Sequence, residues 1–356
     1  MLYEINEKVI TLRRQGKSII NFNVGDPDQA TPPEIIQAAF HAMTAGKTKY
    51  GSAAGEMTLR ERLAERYAVD PANVLVTPGS KWAIYSIISL LLKDGGNVVI
   101  PSPHWSSYEL IARHVGAELR LLKGDLDSAW AIDLKQLQTL LDDQTRLIIL
   151  NNPNNPTSKV LDRQNVQALV DLANERQIPI LSDETYADIS FTKVKNILEY
   201  EGNHIFVNSF SKTFAMTGWR IGFAVLDRAL VQKLVAVNQI SISNVPLFLQ
   251  DAAIKALDLM DDISRTMREI YRRRADLACT LLANTTLQFT KPDAPFYLFP
   301  KCDVNAEAFA FDLLDRGVAV VPGTAFGDYS NHFRISLTTP DDAIKRGLEQ
   351  IAAAFT

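Results

Sequence analysis

Cysteine is nearly missing from this chain: Cys279 and Cys302 are the only two in 356 residues. Their separation excludes a CxxC motif and a disulfide framework, and it points to a reducing compartment. No apolar run approaches the ~20 residues a membrane span needs, the longest being stretches such as Ile87 to Leu92. A block of one charge is also lacking, since 37 basic residues face 41 acidic ones for a formal net charge of −4. A nucleic-acid or membrane-surface partner therefore gains no support. The first residues, Met1 to Lys8, carry acidic groups and no apolar core, so they do not read as a secretory signal and a cytoplasmic address is expected. No repeat or low-complexity tract interrupts the rest.

What is present reads as an α/β enzyme. The length is roughly twice the ~150 residues of a common single core, which suggests one large domain and a smaller one. Short β-branched runs at Val74 to Val76, Asn97 to Ile100, Arg146 to Leu150, Ile178 to Leu181, Ile205 to Val207 and Ile221 to Val225 predict strands. Helix-period segments such as Ser80 to Lys93 and Asp162 to Arg176 lie between them. That alternation predicts a mainly parallel, doubly wound sheet with helices on both faces. After about Leu226 the pattern changes to long helices, Asp227 to Val237 and Leu247 to Leu282, then short strands and a closing helix near Asp342 to Ala354. The expected division is a large domain at 26–245 and a smaller α/β domain from 1–25 and 246–356.

Polar residues gather just beyond three predicted strands: Asn151, Asn152 and Asn155, then Asp183, then Ser209 and Ser211. Ligands of open α/β sheets bind outside the carboxyl ends of the strands, so these three ends point to one site. Val207 to Gly222 adds Lys212 and Arg220, and hydroxyls with a guanidinium suit a phosphate. Lys212 stands among apolar neighbours, which lowers an amine's pKa and frees it for Schiff-base chemistry, although a lone lysine on a loop is more often merely solvated. Asp183 at the end of an apolar strand needs a cation or hydrogen bonds, and a protonated pyridine nitrogen would serve; a helix cap is the plain alternative. Tyr186 follows within one turn. Prolines stiffen Asn151 to Thr157, and Thr77 to Lys81 reaches a helix start through a glycine, which makes Ser80 either an anion ligand or an ordinary cap.

In this order the motifs resemble the fold-type I pyridoxal-phosphate enzymes, specifically the class I and II aminotransferases of the aspartate aminotransferase superfamily. The resemblance runs through Gly25-Asp26-Pro27-Asp28, Lys49-Tyr50-Gly51, Pro78 to Lys81, Pro103-His104-Trp105, Asn152 to Thr157, Asp183 to Tyr186, Ser209 to Gly222, Pro322 to Gly327 and Phe333 to Ser336. It implies pyridoxal 5'-phosphate bound through Lys212, which also moves the proton, with Asp183 on the pyridine nitrogen. Asn155 and Tyr186 are implied for the ring's 3-oxygen. Ser80, Lys81 through its backbone, Ser209, Ser211 and Arg220 are implied for the phosphate, and Trp105 for the ring face. Arg334, helped by Gly25 and Asn155, is implied for the substrate α-carboxylate. Tyr50 is implied to reach the partner's phosphate, which makes the active form a homodimer. Its substrates would be an L-amino acid and a 2-oxo acid, with no metal. The Lys81 side chain is either a contact for the distal carboxylate of aspartate or glutamate, or it points to solvent or supplements the phosphate charge.

Three features depart from the family pattern: Ser158 stands where glycine is usual, Gln29 replaces an aromatic, and the segment before Gly25 is short. They leave specificity open. A C–S lyase or cyclising synthase on the same scaffold shares these motifs, and a pyridoxal-binding regulator would need a DNA-binding module ahead of this sequence.

Overall fold

The computed structural model describes residues 2–356, with side chains from residue 4 onward. The chain opens with α1 (Leu2–Arg14), β1 (Ile20–Asn21), α2 (Pro33–Thr44), α3 (Met57–Tyr67), β2 (Val74–Thr77), α4 (Ser80–Leu91), β3 (Asn97–Ser102), α5 (Ser106–His114) and β4 (Glu118–Lys123). It continues with α6 (Leu134–Leu140), β5 (Thr145–Asn151), α7 (Arg163–Glu175), β6 (Ile180–Asp183), β7 (His204–Ser209), β8 (Gly222–Val225), α8 (Arg228–Ser241) and α9 (Leu247–Asp258). The last part holds α10 (Met260–Leu282), β9 (Tyr297–Leu298), α11 (Ala306–Asp315), β10 (Val318–Ala319), β11 (Val321–Pro322), β12 (Phe333–Ser336) and α12 (Asp341–Ala353).

Seven strands form one sheet in the order β2-β8-β7-β6-β5-β3-β4. Only β8 runs against the others, being antiparallel to both β7 and β2. The strands β3, β5, β6 and β7 read as mainly apolar runs because helices cover both faces. Along β5, Ile148 and Leu150 enter one core cluster while Leu147 and Ile149 enter the other, as the two-residue period of a strand requires. β4 is the strand that hydrophobicity did not predict. It lies at the sheet edge, and charged Glu118, Arg120 and Lys123 interrupt its apolar residues, a common way to keep an edge from pairing with another chain.

A second core, with Phe22, Leu298, Phe333, Ile335 and Leu348, brings together α10, α11, α12 and the small sheet β11-β12-β9. β1 pairs in parallel with β10, which ties residues near the start of the chain to that region. The helical stretch read as continuous from Leu247 to Leu282 breaks between α9 and α10. No proline or glycine marks the break; its sequence sign is Asp261 and Asp262 in the first turn of α10, where carboxylates favour a new N-terminus. α9 packs on α2, and its Ala252, Ala253 and Ala256 join the core of the large sheet.

Candidate active site

Strand register brings the predicted polar ends together. Asn151 pairs with Asp183 across β5 and β6, and Asp183 pairs with Val207 across β6 and β7. The carboxyl ends of adjacent parallel strands therefore deliver their side chains to one place. β8 meets them from the other direction, and its first residue, Gly222, leaves room for α4: a Cβ there would lie 2.8 Å from both the Gly79 carbonyl carbon and the Ser80 nitrogen. A bulkier residue would push the first turn of α4 off the sheet end.

A cavity of about 290 Å³ opens at this point. Gly25, Ser80, Trp105, Asn155, Asp183, Tyr186, Lys212 and Arg334, all expected from the sequence, line it. The half-buried Lys212 donates through Nζ to the Gly25 carbonyl oxygen. Burial strips water from its amine and pulls it down to about 8, with the nearby Arg334 and Arg220 adding to the effect. Asp183 is buried, and desolvation raises its pKa against the hydrogen bonds it accepts from Thr185 and Tyr108. Tyr108 Oη donates to Asp183 Oδ2 at 2.8 Å, and the Thr185 N–H donates to Oδ1 at 3.2 Å. Asp183 thus steadies a turn, while no basic side chain forms an ion pair with it among the described residues.

Arg334 is only 3% exposed, and burial lowers its pKa. Its Nη1 donates to Asn155 Oδ1 at 2.9 Å and Nη2 to the Asn23 carbonyl at 2.6 Å, while Nε has no partner among the described residues. Its plane faces Tyr297 and Phe326, with its central carbon 4.5 and 4.8 Å from their ring centres. A buried guanidinium without a carboxylate is a costly arrangement unless an anion joins it. Tyr186 Oη lies 3.0 Å from Tyr297 Oη. The Asn155 backbone N–H donates to Asn151 Oδ1 at 2.7 Å, so the amide side chain of the proline-stiffened turn is anchored from behind.

The remaining expected residues lie outside this lining. Arg220 and Lys81 border a neighbouring groove with Trp82 and Tyr85. Arg220 adopts φ 57°, a left-handed conformation, and its guanidinium rests against Gly79, where a Cβ would come within 2.5 Å of Nη2. Lys81 Nζ stands 4.7 Å from the centre of the Trp105 ring, and burial with the charge of Arg220 lowers its pKa. Ser209 and Ser211 are buried beside each other, the Ser211 N–H donating to Ser209 Oγ at 3.3 Å. Tyr50 is 87% exposed on a separate surface.

Sequence reasoning missed Asn6, Asn23, Val24, Tyr108, Thr185 and Tyr297, which also line the cavity. Tyr108 carries a usable sign, one helical turn past Trp105. Thr185 lies inside the quoted Asp183 to Tyr186 motif. Asn6 and Asn23 are isolated polar residues whose placement depends on α1 and β1 packing beside β10. The side chain of Asn23 is fully buried with no hydrogen-bond partner among the described residues. The three departures also find places. Ser158 takes φ 53° and accepts the Tyr297 N–H on Oγ at 2.9 Å. Gln29 Oε1 accepts from Tyr271 at 2.9 Å. The short N-terminal segment supplies Asn6 from α1.

The pattern of the family described as aminotransferase class I and II matches residues 17–351. An aspartate aminotransferase of Thermococcus kodakarensis is 36% identical, covering 98% of this chain and 91% of its own. An aspartate/prephenate aminotransferase of Thermus thermophilus is 33% identical, covering 98% and 94%. The solved structure of a Thermus thermophilus aspartate aminotransferase with maleate superposes with a TM-score of 0.96 at 31% identity, over 99% of this chain and 96% of that one.

Proposed function

The chain belongs to the aminotransferase class I and II family, and from that premise we propose that it binds pyridoxal phosphate through Lys212 and moves amino groups from an acidic L-amino acid to a 2-oxo acid as a homodimer. The protein is an aminotransferase of a family that uses pyridoxal phosphate. The observation that carries the finer reading is the lowered amine of Lys212 sharing one cavity with the buried Asp183 and the buried, carboxylate-free Arg334.

The residues fit that cofactor. Asp183 offers a desolvated carboxylate to a ring nitrogen, and Tyr108 and Thr185 hold it in place. Asn155 and Tyr186 would hold the ring oxygen, and Trp105 would bound the ring. The start of α4 at Ser80 and Lys81, whose free N–H groups attract anions, would hold the phosphate together with Ser209, Ser211 and Arg220. When bound, pyridoxal phosphate supplies a carbonyl carbon that accepts amines and a ring that withdraws electrons from the substrate α-carbon. Lys212 Nζ, neutral in part near pH 7, would take the proton from the substrate α-carbon and deliver it to the cofactor carbon that keeps the amino group. Asp183 keeps the ring nitrogen protonated, and Arg334 binds the α-carboxylate. The order is ping-pong, the first 2-oxo acid leaving before the acceptor enters. The high exposure of Tyr50 supports a role for it on a second copy of the chain.

Borohydride reduction of the yellow protein tests this reading. The label is expected on Lys212, and Lys212→Ala is expected to abolish transamination while retaining non-covalently bound cofactor. A label on another lysine overturns the assignment.

For substrate, the relatives named aspartate aminotransferases and the maleate complex support a dicarboxylic amino acid. Arg334 would take one carboxylate and Lys81, which borders the neighbouring groove with its amine over the Trp105 ring, the other. Lys81→Ala is then expected to lower kcat/KM for aspartate and glutamate far more than for alanine or phenylalanine. Equal losses across the four would assign Lys81 to the phosphate.

A further inference from the structure

Tyr297 stands outside every motif of the sequence, yet it touches three of the residues those motifs contribute. Strand register explains why. β9 and β12 pair with Tyr297 opposite Ser336 and Leu298 opposite Ile335. Leu298, Phe333 and Ile335 enter the second core, so Tyr297, Arg334 and Ser336 share the other face of the sheet. On that face the Arg334 guanidinium carbon lies 4.5 Å from the centre of the Tyr297 ring. Tyr297 Oη lies 3.0 Å from Tyr186 Oη. A Cβ on Gly25 would stand 1.9 Å from the same Tyr297 oxygen, so only glycine at 25 leaves that hydroxyl its place. From behind, Ser158 Oγ accepts the Tyr297 N–H and fixes the strand against the turn that carries Asn155.

We propose that Tyr297 is a positioning residue: it donates its hydroxyl proton to Tyr186 and so leaves the Tyr186 proton directed at the ring oxygen of the cofactor. This rests on the reading that the cavity holds pyridoxal phosphate with Tyr186 beside that oxygen. Each phenol has one proton, and only one of the two protons lies between the paired oxygens. The more acidic hydroxyl is the better donor. Arg334 covers the face of Tyr297, where a cation draws on the ring's electrons. Burial raises the pKa of both phenols; at Tyr297, Arg334 is the first influence after burial and the hydrogen bond with Tyr186 also lowers it, whereas at Tyr186 the neighbours Tyr297 and Asp183 raise it further and only Arg334, the smallest influence, opposes them. Tyr297 is therefore the donor and Tyr186 the acceptor. Accepting one hydrogen bond strengthens the bond Tyr186 donates onward. The same chain links the carboxylate clamp to the cofactor, because an anion arriving at Arg334 weakens its pull on Tyr297.

The test is an absorbance titration of the cofactor-loaded, substrate-free protein. Tyr297→Phe keeps the ring on Arg334 and removes only the hydroxyl. Weaker donation from Tyr186 to the ring oxygen favours the protonated chromophore, so the midpoint of the visible band is expected to rise by about half a pH unit or more. In a Tyr186→Phe background the same substitution is expected to move the midpoint no further, as two members of one chain require. KM is expected to stay near wild type in Tyr297→Phe and to rise in Tyr297→Leu, which strips the ring from Arg334. An unmoved midpoint, or an equal shift in both backgrounds, overturns the proposal. Absence of a visible band in wild type overturns the cofactor reading and this inference with it, whereas a band that ignores Tyr297 overturns this inference alone.

Discussion

Asp183 and Arg334 are each buried with a charge that, among the described residues, no opposite charge in an ion pair answers, and at the scale of single residues that is what marks the site. Removing the charge without the shape separates an electrostatic role from a structural one. Asp183→Asn retains an oxygen for Thr185 but cannot hold a proton on a ring nitrogen. Its kcat is expected to fall by about 10²-fold or more, with KM changed little, because the interaction matters most as charge develops. Steady-state kinetics with one amino acid and 2-oxoglutarate read this directly, and an unchanged kcat would reduce Asp183 to the turn it caps. Asp183 was legible because a carboxylate in an apolar stretch is conspicuous, as was the Lys212 amine, whereas Arg334 came from the resemblance to the family. Tyr297 and Asn23 were not legible, since a tyrosine in Phe296-Tyr297-Leu298 and an asparagine beside Phe22 resemble ordinary strand residues until the register shows which face they take.

At the scale of elements, the turn after β5 and the short strand β9 behave as one part. Ser158 occupies a left-handed backbone conformation that favours glycine, and its hydroxyl compensates by taking the buried Tyr297 N–H. Ser158→Gly relieves the backbone but leaves that N–H without its acceptor, a loss of about 1–3 kcal/mol. Ser158→Ala loses the same acceptor and keeps the strained φ that wild type also carries, so it lies below Ser158→Gly by the ~1 kcal/mol that glycine recovers. Urea unfolding should therefore rank wild type above Ser158→Gly and Ser158→Ala lowest. An alanine variant as stable as wild type would mean the hydroxyl contributes nothing. The strands of the large sheet other than β4 were readable from their apolar runs, whereas the small sheet was read only as short strands without register, its two- to four-residue strands being too brief to show a period.

At the scale of the whole molecule, Glu184 connects stability to pH. It is buried next to Asp183, accepts from Ser182 Oγ and the Ile197 N–H at 2.9 Å each, and is pushed by burial from 4.5 up to about 8. The folded chain therefore binds this proton more tightly than the unfolded one. The stability so gained is complete below about pH 4.5 and declines as pH rises through about 8. Thermal unfolding between about pH 5 and 9 should show that decline in wild type and a flatter profile in Glu184→Gln, and parallel profiles would exclude Glu184 as its source. Long-range ties also hold the cavity's rim. Arg274 on α10 binds both oxygens of Asp28 at 2.7 and 2.8 Å and Asp341 of α12 at 2.7 Å, so the loop after Gly25 is fastened to the second core.

The sequence by itself determined the alternating α/β plan and the strand ends that carry Asn151, Asp183 and Ser209, and it singled out Lys212 from its surroundings and Arg334 from the resemblance to the family. The first follow from local periods and from charged groups that apolar surroundings make expensive, the last from motif order. Only the tertiary structure decided that Tyr108 holds Asp183, that Tyr297 lies between Arg334 and Tyr186, and that Lys81 and Arg220 face a neighbouring groove. The physical reason is that each depends on contacts between residues far apart in the chain. Tyr108 and Asp183 are 75 positions apart and Tyr186 and Tyr297 are 111 apart, and such pairs meet through strand register and helix packing that no local pattern encodes.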